Sequence, residues 1–209
     1  MSRHLYYFSL STLNYLLQRN GLSIFHASLN NTNGGSLRVF ATHAEASRPK
    51  TDSYHQVMEA ETELALREVA TYRKFFARVA DLKEKISAYL HHEARQGNLV
   101  IGLGASTKGN MLVQFFEIDK TALPYISDRN REKASLRTLG TDIEIITEEQ
   151  ALRLRPSCML VLIWYFKDEI IRREQDYLDC GGKLLFPMPN CTVVTKYGER
   201  ALEAPSGRL

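Results

Sequence analysis

Residues 99–110 read Leu99-Val100-Ile101-Gly102-Leu103-Gly104-Ala105-Ser106-Thr107-Lys108-Gly109-Asn110. A short apolar run empties into a glycine-rich turn, and helical spacing then resumes from Asn110 to Ile118. Strand, glycine turn and helix in that order form the opening unit of an open α/β sheet, where backbone N–H groups and the positive helix end are able to hold an anion. The dinucleotide fingerprint GxGxxG is incomplete, because Thr107 stands at its third glycine, and Lys108 precedes Gly109 rather than following it as in a Walker loop. Two readings therefore stand for Gly102, Gly104, Ala105, Ser106, Thr107, Lys108, Gly109 and Asn110. Either the loop contacts a phosphate, nucleotide or other substrate, with Ser106 and Lys108 adding a hydroxyl and a charge, or its glycines serve only close strand–helix packing.

Downstream, strands and helices alternate. Strands are predicted at 125–128, 143–146, 157–164 and 183–187, and helices at 148–154 and 167–178. Apolar strands separated by helices mark a parallel sheet covered on both faces. The fold class expected is α/β: a Rossmann-like, doubly wound, mostly parallel sheet over about 98–195, within a carboxyl-terminal domain of residues 98–209. Asp128 follows Gly104 by 24 residues, near the offset at which a carboxylate accepts ribose hydroxyls, or it is a turn or helix-cap residue in Ser127-Asp128-Arg129-Asn130. Trp164-Tyr165-Phe166 close an apolar run at the carboxyl edge of the sheet, placed to stack on a sugar or base or to cap the core. Asp168 and Glu169 read as first-turn acids of a helix rather than a catalytic pair.

Upstream, Val69, Tyr72, Phe76, Val79, Leu82, Ile86 and Leu90 keep a helical rhythm that Gly97 ends, with a break expected near Glu63. Residues 44–53 are polar and make a linker, so residues 44–97 are read as a linker and a long helical segment. Residues 9–19 predict a helix capped by Ser9 or Ser11 and closed by Gly21, and residues 22–29 and 36–41 a hairpin around Asn30-Asn31-Thr32-Asn33-Gly34-Gly35. A helix and a hairpin within residues 1–43 are too small to bury a core alone, so they either pack on the remainder of the chain or are the tail end of a domain whose earlier part is absent.

Composition excludes several classes. The net charge is only +3, with 27 Lys/Arg against 24 Asp/Glu, and the excess lies in residues 1–50. That is too little for a nucleic-acid surface but suits a phosphorylated small ligand. No apolar run approaches a membrane span and the start has no signal-peptide core, so neither membrane nor nucleic acid is expected as a partner and a cytoplasmic location is. Cys158, Cys180 and Cys191 lack metal-ligand spacing and read as buried thiols, with no metal site expected. His4, beside tyrosines and ahead of a helix, is either structural or a general base with a pKa suited to neutral pH. His26, His91 and His92 read as packing or solvated residues.

Six ordered blocks carry a family resemblance: His4-Leu5-Tyr6-Tyr7-Phe8-Ser9, Asn33-Gly34-Gly35-Ser36-Leu37-Arg38, residues 102–110, Asp128-Arg129-Asn130, Trp164-Tyr165-Phe166-Lys167-Asp168-Glu169-Ile170, and Gly181-Gly182-Lys183 followed by Pro187-Met188-Pro189. Together they resemble the carboxyl-terminal half of the S-adenosylmethionine-dependent sugar C-methyltransferases, which methylate a carbon of a nucleotide-linked deoxy- or ketosugar. The resemblance implies that residues 9–42 are the last elements of a methyltransferase domain. It also implies that residues 98–195 form a Rossmann-like domain enclosing the sugar nucleotide. His4 aligns with the base that takes a proton next to the sugar carbonyl, while Arg3 stands where the family carries Glu. Gly102 to Asn110, Asp128, Arg129, Trp164 and Arg38 would contact the sugar nucleotide.

The family's zinc-binding domain and its S-adenosylmethionine-binding loop are not read in these residues, so the expectation is a separated or truncated part. Its cofactor would be S-adenosylmethionine held elsewhere, and its partners a nucleotide sugar and a separate methyltransferase-domain chain. Two other readings remain: a non-catalytic nucleotide-sugar-binding remnant or scaffold, and an NAD(P)-dependent oxidoreductase resting on the loop alone.

Overall fold

The computed structural model describes residues 6–202 and divides into two compact units, Met1–Ala77 and Arg78–Leu209. In the first, Ser9 caps α1 (Leu10–Gln18) in a reciprocal capping box with Thr12, and Gly21 takes the left-handed conformation (φ +70°) that turns the chain into β1 (Leu22–Asn30). β1 pairs antiparallel with β2 (Ser36–His43), with an irregularity between Ile24 and His26. Thr51 caps α2 (Asp52–Glu63), and its own N–H donates to Phe25 O at 2.9 Å, so the chain ahead of α2 is held against β1. Leu10, Ile24, Ala27 and Tyr54 are the buried centre of this unit, joining both helices to one face of the hairpin. The Glu61 carboxylate accepts the N–H groups of Leu10 and Ser11, closing the amino end of α1 from α2. The break expected near Glu63 falls where α2 ends, and α3 (Val69–Arg95) follows, crossing the division between the units.

The second unit is the predicted α/β sheet. Its elements are β3 (Val100–Leu103), α4 (Thr107–Phe115), β4 (Tyr125–Asp128), β5 (Glu144–Thr147), α5 (Glu148–Arg153), β6 (Cys158–Val161), α6 (Lys167–Arg173), α7 (Gln175–Asp179), β7 (Leu184–Phe186), β8 (Thr192–Thr195) and β9 (Gly198–Ala201). The spatial order is β5-β4-β3-β6-β7-β8-β9, parallel through β7 and antiparallel across β8 and β9. Chain order reverses direction between β3 and β6, the switch point of a doubly wound sheet. Side chains alternate as the pleat requires. Val100, Ile126, Cys158, Leu160, Leu185 and Val193 share one core with Ile86 and Leu90 of α3 and with Leu112 and Val113 of α4. Ile101, Leu103, Met159, Val161, Leu184 and Phe186 share another with Ala151 of α5, Ile170 of α6 and Leu178 of α7.

Four local expectations are corrected. The 157–164 strand is limited to Cys158–Val161, because the chain leaves the ladder for a 3₁₀ turn at Trp164–Phe166. The 167–178 helix is two helices parted at Glu174, whose carboxylate accepts from Arg173 Nε at 2.7 Å. The β8–β9 hairpin was not anticipated. Cys158 and Cys191 are buried as expected, but Cys180 is exposed after α7.

Candidate functional site at the sheet switch point

The carboxyl ends of β3 and β6 are joined directly, since Leu162 N–H donates to Leu103 O at 2.9 Å. Here the glycine-rich loop and the aromatic turn meet. Gly104 has φ +90°, and a Cβ there would stand 2.8 Å from Ile163 Cγ2. Gly109 lets the first turn of α4 lie on Leu162. Ser106 caps α4, its hydroxyl accepting from Gly109 N–H at 2.9 Å and donating to Leu162 O at 3.2 Å. The packing role considered for the glycines is thus present, and it brings the amino end of α4 to the switch-point crevice, where open α/β sheets bind ligands.

Thr107 and Lys108 are exposed at that helix end. The Lys108 ammonium lies over the Tyr165 ring, 4.8 Å from its centroid, so the structure brings the loop and the aromatic turn together through these two residues. Trp164 meets Tyr165 edge-on at 5.9 Å, and Tyr165 packs on Phe166 at 4.6 Å. Asn110 Oδ1 is buried and finds no hydrogen-bond partner among the described residues. On the face of the sheet covered by α5 and α6 lies a cavity of about 210 Å³ bordered by Leu103, Ser127, Glu148, Ala151, Arg173 and Glu174. A larger one, about 650 Å³, opens at the opposite, amino edge of the sheet near Arg155, Tyr177 and Cys180, and none of the candidate binding residues lines it.

Asp128 faces the loop. Its Oδ2 accepts from Ala105 N–H at 2.8 Å and from Lys133 Nζ at 3.0 Å, and its Oδ1 accepts from Asn130 N–H at 2.8 Å. Arg129 is exposed beside it. Arg38 belongs to the first unit, exposed on β2 opposite Ser28, and His4 lies outside the described residues. Lys133 was missed in the sequence, and so was the Ser127 hydroxyl, which donates to Gly102 O at 3.2 Å. No group of three or more His, Cys, Asp or Glu residues able to hold a metal occurs among the described residues. No helix among them is long and apolar enough to cross a membrane.

A doubly wound sheet whose switch point carries a capped helix end, a lysine and an aromatic turn defines a Rossmann-like α/β domain. Its lineage is a particular one: the C-methyltransferase C-terminal domain family matches residues 31–189, and the chain belongs to that family. The chain is also 30% identical to "C-methyltransferase NovU" of Streptomyces niveus over 192 residues, which cover 92% of this chain and 46% of that relative. It therefore spans about half the length of the curated relative it matches. A methyltransferase-related role follows, and methyltransferases in general draw on S-adenosylmethionine. At the 104–110 loop Asp128, the carboxylate whose offset suits ribose hydroxyls, accepts from Ala105, Asn130 and Lys133.

Proposed function

We propose that this chain is the substrate-binding part of an S-adenosylmethionine-dependent C-methyltransferase that acts on a nucleotide-linked deoxy- or ketosugar. The observation that carries the reading is the Lys108–Tyr165 contact at the switch point, which unites a cation at a helix amino end with an aromatic surface. A sugar nucleotide needs both: positive charge for its diphosphate and a ring face for its base or sugar. Arg129 adds positive charge, and Trp164 adds ring surface. In this reading His4 removes the proton next to the sugar carbonyl, and the resulting enolate takes the methyl group.

The methyl donor sits in a methyltransferase domain that completes the enzyme, in the same polypeptide or in a separate chain. Tyr7, Leu29 and Phe40, exposed at 87%, 71% and 50%, support docking of such a domain on the first unit.

Calorimetry with dTDP-glucose and UDP-glucose tests the binding role, with micromolar to millimolar affinity expected for at least one. Transfer of labelled methyl from S-adenosylmethionine to 4-keto sugar nucleotides, assayed with an added methyltransferase-domain polypeptide, tests the chemistry. Binding without transfer would leave a non-catalytic binding module, and absence of both would overturn the proposal.

A further inference from the structure

The geometry points to Lys133 as a positioning residue that makes the glycine-rich loop able to receive a diphosphate. The inference rests on the sugar-nucleotide reading of that loop proposed above. Ala105 is the hinge between Gly104, with its positive φ, and Ser106, the cap of α4. Both of its backbone polar groups are held by one ion pair. Its N–H donates to Asp128 Oδ2 at 2.8 Å, its carbonyl accepts from Lys133 Nζ at 2.9 Å, and the two side chains meet at 3.0 Å. The neighbouring Gly104 N–H is fixed to Ser127 O at 2.8 Å, so the loop is anchored along the end of β4.

The charges matter as much as the geometry. The Asp128 side chain is only 13% exposed, and it lies one hydrogen bond from the backbone of the loop. Left alone, that carboxylate would repel a diphosphate arriving at the amino end of α4, and weak solvation would strengthen the repulsion. Lys133, 39% exposed, reaches in from the turn after β4 and neutralises it. Lys133 thus does two things: it locks Ala105, and it neutralises an acidic charge held against the loop backbone by a hydrogen bond. It acts through Asp128 and Ala105, not by touching the ligand.

The two effects separate in binding measurements with dTDP-glucose as the charged probe and thymidine as the uncharged one. Lys133→Met is expected to weaken dTDP-glucose roughly tenfold while leaving thymidine within about twofold, and Lys133→Arg to restore most of the loss. The double variant D128N/K133M removes both charges and is expected to bind dTDP-glucose better than Lys133→Met alone, a coupling that a purely structural lysine would not produce. Asp128→Asn keeps an acceptor for Ala105 and is expected to bind dTDP-glucose at least as tightly as the parent, which keeps the test open should Lys133→Met not fold. Equal binding by the parent and Lys133→Met, or no gain in the double variant, would overturn the role of Lys133 while leaving the site reading intact. A parent chain that binds neither dTDP-glucose nor UDP-glucose would overturn both.

Discussion

Gly109 and Leu162 are in such close contact that a Cβ on Gly109 would stand 2.6 Å from Leu162 Cβ and 3.0 Å from Leu162 O. Neither neighbour is the loose end of a flexible side chain: one is next to the backbone and the other part of it. Gly109→Ala is therefore expected to push α4 off the end of β6, destabilising the second unit by about 1–3 kcal/mol. Urea unfolding followed by circular dichroism checks this, and a midpoint equal to the parent's would show that α4 shifts without cost.

Glu61 is the far end of a second such tie. Its carboxylate takes two N–H groups at the start of α1, Ser11 N–H at 2.8 Å, across 50 residues of sequence. Glu61→Ala leaves those donors to solvent and is expected to cost about 1–2 kcal/mol, with Glu61→Gln recovering part of it. Thermal melts of the three proteins order them, and indistinguishable transitions would refute the tie.

The cysteines predict a pH dependence. Burial pushes the Cys158 thiol up to about 12 and the Cys191 thiol to about 11, against an ordinary value of 9.0. Unfolded thiols lose their protons first, so the stability these groups confer is complete below pH 9 and is lost as pH climbs through 11 to 12. The denaturation midpoint is expected to fall between pH 8.5 and pH 11, less steeply in Cys158→Ala, and an unchanged slope in that variant would remove Cys158 as a cause. With dithionitrobenzoate at pH 8, exposed Cys180 is expected to react at once and the two buried thiols only on unfolding.

Trp164 is the single tryptophan of the chain and stands at the switch point. Binding of dTDP-glucose or UDP-glucose is expected to change its fluorescence, with the change saturating at the affinity read by calorimetry. A calorimetric signal with unaltered emission would place the ligand away from the aromatic turn.

What was legible in the sequence was whatever repeats or breaks a repeat. The Gly102, Gly104 and Gly109 pattern marked the strand-to-helix crossing, and the alternation of apolar runs with helices marked the doubly wound sheet. The aromatic turn lies at the expected edge, though the strand before it ends three residues earlier than the apolar run. Apolar character from Leu162 to Trp164 reports burial against the two cores, not membership of the ladder. Asp128 stood out by its offset from the glycines, but offset alone does not tell a ribose acceptor from a residue that braces its own loop. Its partner Lys133 lies in a polar, aperiodic stretch where no pattern singles out one lysine. The β8–β9 hairpin was hidden for a similar reason: two four-residue strands, one of them exposed throughout, carry too little alternation to be read.

That last hairpin reaches further than its position suggests. Lys167, the first residue after the aromatic turn, donates to Glu199 on β9 and to Thr192 on β8 at 3.3 Å, and its ammonium lies over the Phe186 ring at 5.1 Å. The Lys167 hydrogen bond in turn holds the Glu199 carboxyl below its ordinary value. The outermost strand of the sheet is thereby wired to the rim of the crevice three strands away. Loss of the Glu199 carboxylate would be felt as slack in the turn at Trp164 and Tyr165, so the far border of the sheet helps to hold the shape of its centre.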